Sequence, residues 1–258
     1  MKPSQKQKLN ALIKLGDIFE LGNHRLMCGD ARDADSVVKF LGKERISAII
    51  TDPPYGVAYV ESKAGFKQKI GKEKIIANDH EQSEDEYRLF TKDWMLAVRP
   101  LLARRNSFYT FNADKMIFAL RDGMRDAGYV FTQLLIWAKT QAVIGRMDYL
   151  PQHELIAYGW YGRHEFQKAK DKSILIYSKP SSSKLHPTMK PVGLLRRLIL
   201  NSTKTKEIVY DPFGGSGSLL IACEDTGRRC YTVELDSEYC QTIIDRFEKH
   251  TGIKAKKL

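Results

Sequence analysis

The sequence predicts an α/β protein built on a doubly wound, mostly parallel sheet, and three observations carry that prediction. Short apolar runs with strand character alternate with stretches of helical spacing, beginning with residues 25–28, 33–41 and 46–51. A glycine-rich turn, Asp211-Pro212-Phe213-Gly214-Gly215-Ser216-Gly217-Ser218, stands between the strand-like run 207–210 and an apolar helical pattern at 219–223. A further strand-like run, 229–235, reaches an acid, Glu234, about 20 residues beyond that turn. With 258 residues the chain is long enough to bury a substantial core, and one domain over 1–258 is expected, although the length also allows two.

Each element follows from its own pattern. Residues 1–20 read as a polar, lysine-rich arm with a weak apolar stripe at Leu9, Leu12, Ile13 and Leu15. Residues 25–28 form a strand ending at Gly29-Asp30. The acidic start of 33–41 suits a helix N-terminus, and the apolar run 46–51 completes a β-α-β unit. A long basic loop at 56–82 then carries Lys63, Lys67, Lys69, Lys72 and Lys74, and loops of that length inside compact domains are commonly functional. Tyr87, Phe90, Trp94, Met95, Val98 and Leu101 repeat at helical spacing over 84–102 and are assigned to the core. Residues 107–111 form a strand, a helix runs through Met116, Leu120 and Met124 to Gly128, and 129–137 and 154–160 are two more strands. The stretch 162–185 turns basic again, with Arg163, Lys168, Lys170, Lys172, Lys179 and Lys184. Pro191 suits the first turn of a helix over 192–200. The last helix spans 237–249 with Tyr239, Ile243, Ile244 and Phe247 inward, and 254–257 form a solvated basic tail.

Composition narrows the function classes. A net charge of +11 and a pI near 9.4 suit a polyanionic partner such as nucleic acid. The N-terminus lacks the apolar core of a signal peptide, and no apolar run is long enough to span a bilayer, so a cytoplasmic protein without a membrane partner is expected. Cys28, Cys223, Cys230 and Cys240 form neither C-x-x-C pairs nor a dense framework; they read as buried thiols, with no metal site.

The tetrapeptide Asp52-Pro53-Pro54-Tyr55 is the strongest chemical signal. Prolines fix φ and remove N–H donors, so the carbonyls around them are poorly placed for sheet pairing. Asp52 and the Pro53 carbonyl can accept the two protons of one exocyclic amino group while Tyr55 stacks on the attached ring. A plain Pro-Pro turn is the alternative for these four residues alone. The turn at 211–217 matches neither the dinucleotide G-x-G-x-x-G fingerprint nor the P-loop, yet its glycines permit close approach of a nucleotide-type ligand to a helix N-terminus. Glu234 has the spacing at which a carboxylate meets a ribose diol.

With His186-Pro187-Thr188-Met189-Lys190-Pro191 between them, these motifs closely resemble those of the S-adenosylmethionine-dependent DNA amino-methyltransferases. The catalytic tetrapeptide precedes the cofactor glycines, which resembles the β-type order, a circular permutation of the common methyltransferase arrangement. The resemblance spans the chain from Leu21 onward. It implies a Rossmann-like methyltransferase sheet with an antiparallel edge pair at 129–137 and 154–160. It also implies S-adenosylmethionine held by Asp30, Thr188, Lys190, Asp211, Phe213, Gly214, Gly215, Ser216, Gly217 and Glu234, with Asp30 near the adenine ring and Thr188 and Lys190 at the carboxylate. Catalysis would rest on Asp52, Pro53, Pro54 and Tyr55. Double-stranded DNA is the implied partner, contacted by Lys63, Lys67, Lys69, Lys72, Lys168, Lys170 and Lys172. A homodimer and a cognate restriction enzyme stay open. The segment ahead of His186 is short for a recognition module, which departs from the family pattern. Asp rather than Ser at position 52 resembles the N6-adenine enzymes more than the N4-cytosine ones. N4-cytosine methylation and an inactive DNA-docking module are the alternatives.

Overall fold

The computed structural model describes residues 13–56, 81–142, 148–168, 170–179 and 189–258. Their strands are β1 (Ile18–Leu21), β2 (His24–Cys28), β3 (Ile46–Thr51), β4 (Leu102–Asn112), β5 (Val130–Ala138), β6 (His153–Trp160), β7 (Ile174–Ile176), β8 (Ile208–Asp211), β9 (Arg229–Glu234) and β10 (Lys256–Lys257). The helices are α1 (Ala34–Leu41), α2 (Glu84–Val98), α3 (Ile117–Asp126), α4 (Val192–Ser202), α5 (Ser218–Asp225) and α6 (Ser237–Thr251). All ten strands join one sheet in the order β10-β1-β2-β9-β8-β3-β4-β6-β5-β7. The central run from β2 to β4 is parallel. Strand β8 leads to β9 on one side and β3 to β4 on the other, so the winding reverses between β8 and β3, where an α/β sheet opens a ligand crevice.

Apolar side chains from the two sheet faces build two cores. Leu194, Leu198, Leu220 and Ile243 of α4, α5 and α6 pack with Ile50, Val209 and Cys230, while Val37, Trp94 and Leu120 of α1, α2 and α3 pack with Ile49, Tyr210 and Val233. Every residue of β3 is buried, as a strand covered on both faces should be. A register shift between Ile46 and Ala48 explains why Ile46 and Ile49 share a face despite their odd spacing. Ser83 caps α2 in a reciprocal capping box with Glu86, and Asp33 and Asp236 cap α1 and α6. The four cysteines are buried and free. Among the described residues, no helix is long and apolar enough to cross a membrane.

The central β-α-β units agree with the sequence prediction, and the sheet margins correct it. Residues 18–20, expected in the polar arm, form β1 with Leu21, antiparallel to β2, with Phe19 and Leu21 buried. The basic tail is exposed as expected, and it also pairs with β1 through Lys256 and Lys257, with Lys257 meeting Asp17 at 2.6 Å. Strands β5 and β6 are antiparallel as expected, but β7 lies outside them, parallel to β5. Its Ile-Leu-Ile is too brief a run to stand out within a polar stretch. Leu175 nevertheless buries fully, and the Ile136 N–H donates to the Ser173 carbonyl.

Gly123 marks the closest approach of α3 to α2. A Cβ there would lie 2.6 Å from the Arg88 carbonyl oxygen and 2.7 Å from Thr91 Cβ. On an open helix face, Gly→Ala stabilises by up to about 1 kcal/mol. Here overpacking reverses the sign, and Gly123→Ala is expected to lose about 1–3 kcal/mol in urea unfolding.

Candidate active site

The end of β3 and the end of β8 are joined by one buried contact. The Thr51 hydroxyl donates to Asp211 Oδ1 at 2.8 Å, and the Phe213 N–H donates to the same oxygen at 3.1 Å. Asp52-Pro53-Pro54-Tyr55 therefore begins beside the glycine turn. Both stretches line a single cleft of about 690 Å³, together with Asp30, Phe111, Trp137, Lys139, Tyr149, Glu154, Lys179, Lys190 and Glu234.

The glycine turn is shaped by its neighbours. Gly215 and Gly217 have positive φ (52° and 73°), which L side chains adopt with difficulty. A Cβ on Gly214 would sit 2.6 Å from the Thr232 hydroxyl oxygen. Glu234 closes the turn by accepting from the Gly215 N–H at 2.7 Å and the Asp236 N–H at 2.9 Å. From beneath, Arg246 donates to the Ser216 carbonyl at 2.9 Å and to the Ser218 hydroxyl at 3.0 Å. Phe213 lines the cleft while its ring packs on Phe90 and Trp94. Gly217 is the left-handed N-cap of α5 and is not among the cleft-lining residues. Asp30 lies just beyond β2, and the N–H of its neighbour Gly29 donates to the Glu234 carbonyl at 2.9 Å. Both Asp30 oxygens accept from Arg32, whose hydrogen bonds outweigh burial and hold the carboxyl below its ordinary range.

At the other end of the cleft four charged side chains form a chain. Lys190 donates to Asp52 Oδ2 and contacts Glu154 Oε2 at 3.1 Å, and Lys139 meets Glu154 Oε1 at 2.9 Å. Their side chains are only 6% (Lys190), 7% (Lys139), 21% (Glu154) and 23% (Asp52) exposed, so the charges compensate one another in place of water. The Tyr55 hydroxyl donates to Asp52 Oδ1 at 2.6 Å. Burial first, then the Asp52 charge, drives the Tyr55 phenol well above its ordinary pKa, so it stays a donor. Burial also pushes the Asp52 carboxyl up, and the Lys190 charge opposes that shift. Burial pushes Asp211 up to about 8 and Glu234 up to about 7. Three carboxylates starved of solvent around one cleft are the donor set expected to welcome a cationic, hydroxyl-bearing ligand.

The structure fixes where two sets of expected site residues lie. Lys190, expected at the cofactor carboxylate, lines the cleft with its ammonium between Asp52 and Glu154. Lys168, Lys170 and Lys172 were expected at the DNA and none is among the cleft-lining residues. Asp171 ties their segment to Arg197 and Asn201 on α4, and the Gln167 N–H donates to the Asn201 carbonyl, towards the helix end remote from the cleft. Lys179 lines the cleft instead. Thr188, His186, Lys63, Lys67, Lys69 and Lys72 lie outside the described residues. Sequence reasoning overlooked Thr51, Lys139, Glu154 and Arg246. A charged residue directly flanking or entering an apolar strand was the available signal for Lys139 and Glu154.

A family model described as DNA methylase matches residues 46–245. The YubD protein of Escherichia coli (strain K12) is 31% identical over 202 residues, covering 75% of this chain and 78% of YubD. The M1.HpyAVI–SAM complex superposes with a TM-score of 0.62 at 23% identity, covering 86% of this chain and 98% of that one. The PvuII DNA methyltransferase, cytosine-N4-specific, superposes with a TM-score of 0.64 at 16% identity, covering 88% and 92%. These two structures share the fold.

Asp211→Asn keeps an acceptor for Thr51 and Phe213 and removes a carboxyl whose folded pKa is raised. A raised carboxyl stabilises fully below its unfolded value, and that contribution is lost as pH rises towards about 8. Thermal unfolding of Asp211→Asn is therefore expected to show a smaller fall in Tm than the parent between about pH 5 and pH 8.

Proposed function

The chain belongs to the S-adenosylmethionine-dependent DNA amino-methyltransferases, and from that premise we propose that it methylates the N6 amine of an adenine flipped out of double-stranded DNA. The observation that carries the reading is the shared cleft: Asp52, Tyr55 and Gly215 line the same cavity. The residues present fit S-adenosylmethionine. Gly214 and Gly215 offer a turn that a ligand can approach closely, Glu234 lies at the end of β9 for a ribose diol, and the buried Asp211 carboxyl suits a cationic neighbour. The cofactor supplies an electrophilic methyl group.

The protein's part is to hold and polarise the amine. An exocyclic amine is a weak nucleophile because its lone pair is delocalised into the ring. Asp52 and the Pro53 carbonyl accept hydrogen bonds from its two N–H groups, favouring a pyramidal nitrogen with its lone pair directed at the methyl carbon, and one of those protons is released to solvent once the nitrogen carries the methyl group. Preorganised acceptors and near-attack positioning supply the acceleration, with no covalent intermediate. Tyr55 and the neighbouring aromatic wall offer stacking that offsets part of the unstacking cost of flipping. The carboxylate at position 52, where the N4-cytosine enzymes of the resembled family often carry serine, supports adenine. The N4-cytosine reading has its own observation, the fold shared with a cytosine-N4-specific enzyme.

The reading is tested by incubating unmodified DNA with the protein and labelled cofactor, then digesting it and identifying the base by mass. N6-methyladenine is expected; N4-methylcytosine would overturn the adenine assignment. Asp52→Ala is expected to lower the methylation rate at least about a hundredfold with cofactor affinity within a few-fold of the parent. Near-normal turnover would remove Asp52 from the mechanism.

A further inference from the structure

The Lys190 ammonium is committed to two largely buried carboxylates at the catalytic end of the cleft. Lys190 sits just before α4, yet its ammonium crosses to the catalytic tetrapeptide and to β6, with Phe111 and Tyr55 rings 5.1 and 5.8 Å away. We infer that Lys190, balanced by Glu154 and Lys139, is a positioning residue for methyl transfer: it keeps Asp52 ionised and oriented so that the carboxylate can accept a hydrogen bond from the target amine. The inference rests on the reading that Asp52 meets that amine.

Geometry supports the inference from each side of Asp52. Tyr55 donates to Oδ1 and Lys190 to Oδ2, so the carboxylate is held by two donors from different elements and its plane is fixed. A carboxylate has about four lone-pair sites, so both oxygens still have acceptor capacity for an incoming N–H. The titratable groups facing Asp52 are Tyr55 on its own turn, Lys190 ahead of α4, Glu154 at the start of β6 with Lys139 behind it, and Asp211 at the end of β8. Glu154 acts on Asp52 in the opposite sense to Lys190, since its negative charge opposes ionisation of a neighbouring carboxyl. Two ammoniums and two carboxylates leave the cluster neutral, so removing one member unbalances it in a predictable direction.

The test is single-turnover methyl transfer on duplex DNA from about pH 6 to about pH 9, with S-adenosylmethionine affinity measured separately by calorimetry. If Asp52 must be ionised, its titration sets the acid limb of the profile. Lys190→Met is expected to slow transfer about a hundredfold near neutral pH and to move that limb upward by about one unit or more, with cofactor affinity within about threefold. Lys190→Arg is expected to recover part of the rate. Glu154→Gln keeps the side-chain shape and moves the limb the other way, downward. A purely structural role would not displace the limb in opposite directions. Lys190→Met with a normal rate and a tenfold or greater loss of cofactor affinity would overturn the inference, as would an unshifted limb in Glu154→Gln, which decides the matter if Lys190→Met does not fold. Asp52→Ala, measured alongside, separates the two levels. If it retains the rate, the role of Asp52 itself fails; if it is inactive while the Lys190 and Glu154 variants keep the parental profile, only the positioning role fails.

Discussion

The parallel pairing of β3 with β8, closed by the Thr51–Asp211 hydrogen bond, is the constraint on which the rest of this structure depends. The two strands come from opposite ends of the chain, 160 residues apart at that bond. Their carboxyl ends each deliver a motif: the Asp52-Pro53-Pro54-Tyr55 ledge from one and the glycine turn from the other. Because the winding reverses between them, no crossover helix covers the gap, and a cleft opens there. Burial on both faces fixes the strand register, since a one-residue slip of β3 would exchange Ile49 and Ile50 between the two cores.

That same burial creates the electrostatic character of the site. Asp52, Glu154, Asp211 and Glu234 all border the cleft, and each loses hydration there. They are managed in two ways. Glu154 is compensated by the Lys139 and Lys190 ammoniums, which overcome burial and hold it below its ordinary pKa. Among the described residues Asp211 and Glu234 meet hydrogen-bond donors but no ammonium, and they are pushed up to about 8 and about 7. The cleft is thus charge-balanced at its catalytic end and receptive to positive charge at its glycine end. A methyl donor that carries a sulfonium matches that asymmetry.

The large basic excess of the chain is a weaker guide to position than to class. Net charge attracts a polyanion from a distance, but it does not say which lysines reach it. Lys168, Lys170 and Lys172 look like a binding run in sequence, and Asp171 within that run is anchored to Arg197 and Asn201 of α4. Lys179, only a few residues onward, lies on the cleft because β7 runs parallel to β5 and so returns the chain to that end of the sheet.

The sequence by itself determined the central elements and the chemical identity of the motifs. Apolar runs such as Ile46–Thr51 and helical spacing such as that of Tyr87, Phe90 and Trp94 are local properties, and local periodicity is sufficient to read them. The tetrapeptide and the glycine turn were legible for the same reason, since each is contiguous. The margins were not: β1, β7 and β10 are short, and their pairing depends on neighbours rather than on their own residues. Only the tertiary structure decided that Lys190 meets Asp52 from 138 positions away, that Glu154 and Lys139 complete the cluster, and that Arg246 supports the glycine turn. Contacts between charged side chains so far apart follow from strand order and from exclusion of water, and neither is written in the spacing of the residues that make them.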